Sequence, residues 1–265
     1  LARRRALRVC ARSSSFAFRG RGLDLRHVAE RLGVRHVLTG SVRRAGARLR
    51  VTVQLVNASD GTQVWSERYE REVDDVFAIQ DEIATSIVEA LNETLLAREV
   101  AAISPPTQRV RHVNVAAYEA CLRGRHLWGR RTAENTQRAL DWYRQAIVID
   151  PDYVVAWSGL ADVLALQGIY GDASPTDVMP KAREAARRAL SIDPDCAEAH
   201  ATLGLVSAAF DWRWDDAQAS FQRAIALNPG YPVALQWYAT NYLTPLGRVE
   251  EALDATRTAL RLDPL

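Results

Sequence analysis

The sequence predicts a small α/β (α+β) mixed-sheet domain followed by an all-α array of repeated helix pairs. Two observations predict this division. In the second half, four similar phrases each end in proline: QAIVID before Pro151, RALSID before Pro194, RAIALN before Pro229 and TALRLD before Pro264. In the first half, apolar and polar residues alternate over 49–55, which is the pattern of a half-buried strand.

The composition is that of an ordinary globular protein. The chain has 265 residues, of which 48% are apolar and 25% are charged. No run approaches the ~18 apolar residues of a membrane-spanning helix, so we expect no membrane span. Three cysteines (Cys10, Cys121 and Cys196) lie far apart without C-x-x-C spacing, which favours free or buried thiols over disulfides or a metal site.

Positive charge is concentrated at the start of the chain. Residues 1–50 contain 14 arginines against two acidic residues, Asp24 and Glu30, although the net charge of the whole chain is only +2. Such a block is typical of nucleic-acid binding. The arginines alternate with apolar residues, however, which favours the solvated face of a sheet. We therefore expect no nucleic-acid partner and keep contact through residues 1–50 as an alternative.

The first elements are a strand, a short helix and a second strand. Residues 6–11 (ALRVCA) are a short strand candidate. Residues 25–32 carry apolar side chains at helical spacing, with Asp24 at the N-cap position and Gly33 at the C-terminal position. The period then changes to two, and residues 34–42 (VRHVLTGSV) are the next strand candidate.

A hairpin and a long helix complete this region. The alternating strand over 49–55 is followed by a turn at 57–61 and by another strand over 63–71, in which Trp65, Glu67 and Tyr69 share a face.

The long helix is predicted from an N-cap at Asp74 or Asp75 to near Arg98. Its apolar stripe consists of Val76, Ile79, Ile83, Ile87, Ala90 and Leu91.

These residues resemble a known bacterial domain. Three segments within about residues 5–95 look like the TolB amino-terminal-like (FlgO-type) domain: RVCARSSSFAFRG, LDLRHVAERLGVRHVLTGSVRRAGARLRVTVQLVNASDGTQVWSERYER and DVFAIQDEIATSIVEAL. The resemblance implies a place before tetratricopeptide repeats in bacterial signalling proteins. Those proteins start with a winged-helix DNA-binding domain (CadC-like regulators), an adenylate or guanylate cyclase domain, or a Ser/Thr kinase domain. The opening strand and first helix of that family's domain have no counterpart here, so we expect a fragment that lacks its effector domain.

The repeats themselves resemble the tetratricopeptide repeat, a helix–turn–helix unit of about 34 residues. Small residues at the helix crossings let two axes approach. The expected crossing alanines of the second helices are Ala139, Ala146, Ala182, Ala189, Ala217, Ala224, Ala252 and Ala259, with Tyr143 and Phe221 in the large position. In the first helices, the matching positions are Trp157, Leu160 and Ala161, then His200, Leu203 and Gly204, then Leu235, Tyr238 and Ala239.

The spacing of the prolines predicts where the units differ. The intervals are 43, 35 and 35 residues, which places eight or nine extra residues in the turn over 168–177 and one extra residue each near 211–216 and 244–246. The first unit is irregular. Its first helix is assigned a core of Tyr118, Cys121 and Leu122, with a stretched loop over 130–136 and the register left open. A polar capping helix is absent after the last unit, which again indicates a fragment.

Stacked units form a superhelix whose concave face is lined mainly by first helices and binds peptides or partner helices. The positions expected to line it are Val155, Ser158, Asp162, Glu198, Ala201, Leu205, Val233, Gln236, Thr240 and Leu243. They are mostly small or apolar, and the Lys/Asn set that some tetratricopeptide modules use on a carboxylate is absent. The same positions would also suit packing against the α/β domain, and that alternative stays open.

The expected domains are a truncated TolB-like domain over 1–103, a linker over 104–116 and a solenoid of about four helix pairs over 117–265. No phosphate-binding glycine loop, nucleophile elbow or paired metal ligands occur, so we expect no catalytic residue, cofactor or metal in this chain.

The favoured function is non-catalytic protein–protein interaction and sensing within a bacterial signalling protein, with a protein or peptide and the chain's own upstream effector domain as partners. The alternative is the regulatory half of an adenylate or guanylate cyclase or a Ser/Thr kinase. A cytoplasmic location is favoured, and a CadC-like parent would imply a periplasmic one.

Overall fold

The structure, a computed structural model, describes residues 9–18, 24–46, 48–72, 79–80, 82–87, 90, 114–129, 132–171 and 173–264. The described residues form two compact units, one within the first 90 residues and one over 114–262. The first unit contains α1 (Arg12–Phe16), α2 (Leu25–Leu32), β1 (His36–Ala45), β2 (Arg48–Asn57) and β3 (Gln63–Glu72). The fold class predicted from the sequence, a small sheet domain followed by a tetratricopeptide-type solenoid, is confirmed.

Helix α2 begins and ends at the predicted residues. The Asp24 side chain accepts a hydrogen bond from the backbone N–H of Arg26, which satisfies an otherwise free donor at the helix start. Gly33 ends the helix in the left-handed region with φ 60°, where a residue without a Cβ is favoured. The apolar side chains Val28 and Leu32 are buried, so the predicted amphipathic helix is confirmed.

The described strands form an antiparallel sheet in the order β1-β2-β3. Val51 pairs with Tyr69 and Leu55 with Trp65, so the predicted common face of the third strand is confirmed. At the centre of β1, Gly40 lies so close to β2 that an added Cβ would be 2.2 Å from the Thr52 carbonyl oxygen.

The strand predicted over 6–11 is wrong for residues 9–11, the part of it that the structure describes. Residues 9–11 have no regular structure, and α1 follows them directly. The apolar residues before Ser13 have the pattern of a strand, but the polar residues that follow them form the short helix α1. The described part of the sheet is therefore purely antiparallel rather than mixed.

A helix covers one face of this sheet. Residues 79–80, 82–87 and 90 are helical, and Ile79 packs against Val51, Val53 and Tyr69 while Ile87 packs against Leu55. The predicted long helix is thus confirmed for these residues, whereas its predicted start near Asp74 and its end near Arg98 lie outside the described residues.

The opposite face of the sheet carries charge. Arg50 is half exposed and pairs with Glu70 on the neighbouring strand at 2.7 Å, and Arg68 also pairs with Glu70. The hydrogen bonds from Arg68 and the charge of Arg50 hold the pKa of the Glu70 carboxyl below its usual range. Arg50 thus lies on a solvated, locally neutralised face, which is the arrangement predicted for the arginines of residues 1–50.

The second unit is a series of antiparallel helix pairs. Its helices are α3 (Val115–Trp128), α4 (Ala133–Ile149), α5 (Val154–Tyr170), α6 (Pro175–Ile192), α7 (Ala197–Ala209), α8 (Trp214–Leu227), α9 (Pro232–Tyr238) with a π-helical extension (Ala239–Leu243), and α10 (Val249–Leu262). The most extensive contacts join α3 to α4, α5 to α6, α7 to α8 and α9 to α10. We call α3, α5, α7 and α9 with its extension the first helices, and α4, α6, α8 and α10 the second helices.

Small residues make the crossings, as predicted. All eight crossing alanines of the second helices are buried, and so are Tyr143 and Phe221. The Tyr143 ring lies between Gly124 of α3 and Gly159 of α5; an added Cβ on Gly159 would be 2.3 Å from that ring. Gly204 of α7 meets Phe221 in the same way. A glycine in the first helix therefore accommodates the aromatic ring of a second helix.

The structure sets the register of the first unit, which the sequence leaves open, and confirms Cys121 but not Tyr118 or Leu122 as core. Gly124, with Ala117, Ala120, Cys121 and Leu127, forms the buried side of α3, whereas Tyr118 and Leu122 are only partly buried. The loop predicted over 130–136 is also shorter, because α4 already begins at Ala133 after the capping residue Thr132.

The extra residues of the second unit lengthen its helices rather than its turn. Helix α5 has 17 residues and α6 has 18, against 13 in α7 and 14 in α8. Gly168, predicted to lie in the enlarged turn, is helical and buried, and an added Cβ would lie 2.8 Å from the end of Met179. It is a packing glycine, which sequence alone does not distinguish from a turn glycine.

The two single extra residues are accommodated differently. In the third unit, the loop before α8 contains Trp212 in the left-handed region with φ 58°. In the fourth unit, the extra residue widens the helix itself. The backbone N–H of Thr244 donates to the carbonyl of Ala239, five residues earlier, at 3.0 Å, and the segment is a π-helix.

The first two Asp-Pro turns, at Asp150 and Asp193, are held by the same contacts. The Asp150 side chain accepts from the backbone N–H of Asp152, and its carbonyl accepts from that of Tyr153. The indole N–H of Trp157 donates to the carbonyl of Pro151 at 2.8 Å, and His200 makes the equivalent contact with Pro194 at 3.0 Å. Histidine can therefore replace tryptophan at this repeat position because both present a ring nitrogen.

The array curves toward its first helices. The first helices of neighbouring pairs pack on one another (α3 on α5, α5 on α7, α7 on α9) more extensively than the second helices do. A row whose members lie closer together is the inner row of a curved stack, so the first helices form a concave face and the second helices splay apart on the convex face.

Candidate functional site

Five polar residues from four helix pairs converge on the concave face. They are Arg125 in α3, Asp162 in α5, Glu198 and Thr202 in α7, and Tyr231 just before α9, and we call them the polar cluster. Its members lie up to about a hundred positions apart in the sequence, so the stacking of the first helices alone brings them together.

Asp162 is the buried centre of the polar cluster. Its side chain is only 7% exposed; it accepts a hydrogen bond from the fully buried Thr202 hydroxyl and lies 3.5 Å from that of Tyr231. Burial raises the pKa of the Asp162 carboxyl to about 7, against the opposing effect of the Thr202 hydrogen bond. A carboxylate without a cation within ion-pair distance is costly in such surroundings, and its protonation removes that cost.

Arg125 is the cation of the polar cluster. It retains solvent exposure, and none of the described carboxylates lies within ion-pair distance of it, although Glu198 and Asp162 are close enough to act on its charge. Desolvation opposes the charge on Arg125, but the phenol of Tyr143 and the carboxylate of Glu198 outweigh it, so the pKa of the guanidinium is raised. An exposed guanidinium on the floor of a concave face has donors available for a ligand.

Three tyrosines and a thiol complete the surroundings. Burial raises the pKa of Tyr143, Tyr153 and Tyr231 well above that of an ordinary phenol, and it raises the pKa of the Cys196 thiol to about 12. These groups are therefore neutral at physiological pH, and the thiol is not a nucleophile. The site can donate and accept hydrogen bonds and offers one fixed positive charge, which suits binding.

The predicted groove positions separate into two sets. Ser158, Asp162, Ala201, Leu205 and Leu243 are buried, the last three almost completely. They were expected to face outward, but they lie where neighbouring first helices pack together. Val155, Glu198 and Val233 are partly buried, and Gln236 and Thr240 are exposed, so these five retain a surface on the concave face.

Sequence reasoning missed Arg125, Thr202 and Tyr231. Helices α5 and α7 are apolar on nearly every side, so periodicity does not distinguish the lining of the concave face from contacts between first helices. The one available signal was the acidic Asp162 inside the otherwise apolar helix α5, since a charge there demands partners.

The described residues contain neither a metal-binding cluster nor a membrane-spanning helix. Among the described residues, no group of three or more His, Cys, Asp or Glu side chains could hold a metal ion. None of the helices in the described ranges is long and apolar enough to cross a bilayer.

Comparison with curated proteins finds two kinds of relative. Putative adenylate cyclase 3 of Rhizobium meliloti (strain 1021) is 35% identical over 214 residues, which cover 79% of this chain and 35% of that protein. The transcriptional regulator HilA of Salmonella typhimurium is 26% identical over 171 residues, 64% of this chain and 31% of that protein. The chain thus spans about a third of the length of the curated relatives it matches.

The match to the cyclase-named relative is longer than the helical unit. Its 214 aligned residues exceed the 151 residues between positions 114 and 264, so the similarity includes part of the region before the array. No family model matches this chain, and the resemblance to the TolB amino-terminal-like domain stays a prediction.

Solved structures with paired helices also align with the chain. A thermophilic TPR protein of Thermus thermophilus gives a TM-score of 0.47 at 19% identity over 72% of this chain and 87% of that chain. MamA gives 0.38 at 18% identity over 72% and 95%. At these TM-scores, the fold assignment rests on the helix packing of the chain itself.

Proposed function

We propose that this chain is a non-catalytic interaction and regulatory region of a bacterial signalling protein, and that the concave face binds a protein or peptide. The observation that carries the proposal is Arg125, which is exposed and has none of the described carboxylates within ion-pair distance. It lies beside the neutral phenol of Tyr143, the buried Asp162 and the partly buried Glu198. An exposed ion pair contributes little to stability. An arginine on a concave face can instead use its guanidinium to bind a charged or polar group of a partner.

The chemistry of the concave face indicates a mixed contact. Arg125 can donate to a carbonyl or carboxylate of the partner, and Glu198 can accept from an amide or a cation. The exposed Gln236 and Thr240 extend the polar surface towards the fourth pair, while Val155 and Val233 supply small apolar contacts. A peptide in extended conformation, which offers both backbone donors and acceptors, fits this alternation.

Peptides selected from a random library against the whole chain test this proposal. Arg125→Gln should weaken the selected peptides about tenfold or more, because hydrogen bonds to a charged group are lost. The matched control is Arg138→Gln on α4, an arginine that is more than half exposed and whose contact is with Glu134 of the same helix. Equal binding by the Arg125 and Arg138 variants would contradict the proposal.

A second candidate is the regulatory part of a cyclase. The similarity over 79% of this chain to a protein named putative adenylate cyclase 3 favours it, while the weaker similarity to HilA favours a transcription regulator. The gene sequence distinguishes them: a cyclase domain in the same reading frame supports the former, and a winged-helix DNA-binding domain supports the latter.

A further inference from the structure

A cleft of about 210 Å³ lies on the convex face, where the second helices α6 and α8 splay apart over α7. Its floor includes Leu203, and its walls carry polar groups from three helices and one loop. We call the following residues the arginine cleft: Arg183, Arg187, Ser207, Arg213, Asp216 and Ser220.

The arginine cleft has an excess of positive charge. The guanidinium of Arg183 donates to both carboxylate oxygens of Asp211, at 2.5 and 2.6 Å, and is largely buried. Arg213 pairs with Asp216 at 2.8 Å. Arg187 is different, because no carboxylate in the described part of the chain pairs with it. Three guanidiniums thus face two carboxylates, and the third is uncompensated.

The ion pairs hold Arg183 and Arg213 in place and leave other N–H groups of each guanidinium available for a ligand. A guanidinium has five N–H groups, and both Arg183 and Arg213 make their ion pairs through Nη2 alone. The largely buried pair with Asp211 holds Arg183 on the wall of the cleft, because Nη2 contacts both carboxylate oxygens. The hydroxyls of Ser207 and Ser220 add donors on α7 and α8.

We propose that the arginine cleft binds a phosphate group. Several convergent guanidinium and hydroxyl donors match the three or four oxygens of a phosphate better than the two of a carboxylate, and arginine recognises phosphate in fixed geometry. Asp216 opposes an anion and moderates the affinity. The phosphate can belong to a free phosphorylated compound or to a phosphorylated side chain of a protein; both present the same terminal group.

Calorimetric titration of the whole chain with inorganic phosphate tests the site. The wild-type protein should bind phosphate saturably, and added salt should weaken the binding because the cleft is open to solvent. Arg187→Gln should weaken it about tenfold or more. The control is Lys181→Gln, which removes one exposed positive charge from the same helix outside the cleft and should leave the affinity unchanged.

A second variant reverses the sign of the effect. Asp216→Asn removes the carboxylate from the cleft and releases Arg213, so phosphate affinity should rise several-fold. Melting curves establish that each variant is folded. Absence of saturable binding by the wild-type protein, or equal losses in the Arg187 and Lys181 variants, would overturn the proposal, and so would weaker binding by Asp216→Asn.

Two further ligands identify the source of the phosphate. A phosphoserine peptide that binds about tenfold more tightly than inorganic phosphate, with the gain removed in its unphosphorylated form, indicates a modified protein partner. Equal affinity for the peptide and for inorganic phosphate indicates a free phosphorylated compound. Acetate serves as the carboxylate comparison, and binding of acetate as tight as that of phosphate contradicts a phosphate site.

Discussion

The first and second helices of the array differ in how deeply their polar side chains are buried. On the concave face, Asp162 and Thr202 are buried and belong to a cluster shared among four helix pairs. On the second helices, charges are mostly exposed. Some pair within one helix, as Arg144 does with Asp141, and others pair with a neighbouring loop, as Arg188 does with Asp152 and Arg223 with Asp195. The difference shows that buried polar groups, which are costly, are concentrated where neighbouring first helices meet.

The largest expected effect tests the buried carboxyl of Asp162. Its pKa is about 7 in the folded protein against 3.8 for an ordinary aspartate. Between these values the folded state holds a proton that the unfolded state has lost, so the free energy of unfolding falls as pH rises. Asp162→Asn should remove that fall and stabilise the protein above pH ~7 by on the order of 3 kcal/mol. Below pH ~4 the two proteins should unfold alike, since both side chains are then neutral.

Urea unfolding from about pH 4 to pH 9 measures this difference. The control is Asp254→Asn on α10, which changes an exposed carboxylate paired with Arg257 and should alter stability by no more than ~0.5 kcal/mol at any pH. If Asp162→Asn follows the wild-type pH dependence throughout, Asp162 is not the protonated centre of the polar cluster.

A smaller effect tests the close crossings. Gly159→Ala would place a Cβ 2.3 Å from the Tyr143 ring, which is itself buried on both sides. We expect a loss of about 2 kcal/mol from overpacking, despite the ~1 kcal/mol by which alanine favours a helix over glycine. Thermal unfolding measures the loss.

The matched control for the crossing is another glycine of the first helices. Gly129, at the end of α3, has backbone φ −61°, and an added Cβ would approach its neighbours only to 3.6 Å. Gly129→Ala should therefore leave stability unchanged or raise it slightly. A similar melting temperature for the Gly159 and Gly129 variants would show that the crossing accommodates a larger residue.

Sequence predicts this fold well where one residue type has one role. The crossing alanines recur in all four units, and so does a proline preceded by Asp or, in the third unit, by Asn. Each is fixed by a local requirement, close approach or helix termination. Gly168 was misinterpreted because glycine serves both turns and packing, and the four residues added to each helix of the second pair carry no signal of their own.

The candidate site was harder to predict for a different reason. Asp162 was among the expected positions, but its partners Thr202 and Tyr231 lie in the next two helix pairs and share no spacing with it. Leu205 and Leu243 have the same helical phase as exposed positions, yet neighbouring first helices cover them. Which residues of an apolar helix remain on the concave surface depends on the curvature of the stack, which the repeat period does not specify.

The central proposal is that a peptide binds the concave face formed by the first helices, a site separate from the arginine cleft proposed for phosphate on the second helices. Hydrogen–deuterium exchange of the whole chain, with and without a library-selected peptide, measures it most directly. The account predicts slower exchange in α3, α5 and α7 around the polar cluster when the peptide is bound, with little change on the outer surfaces of α4, α6 and α8. Protection confined to those second helices, with none near Arg125 and Glu198, would contradict it.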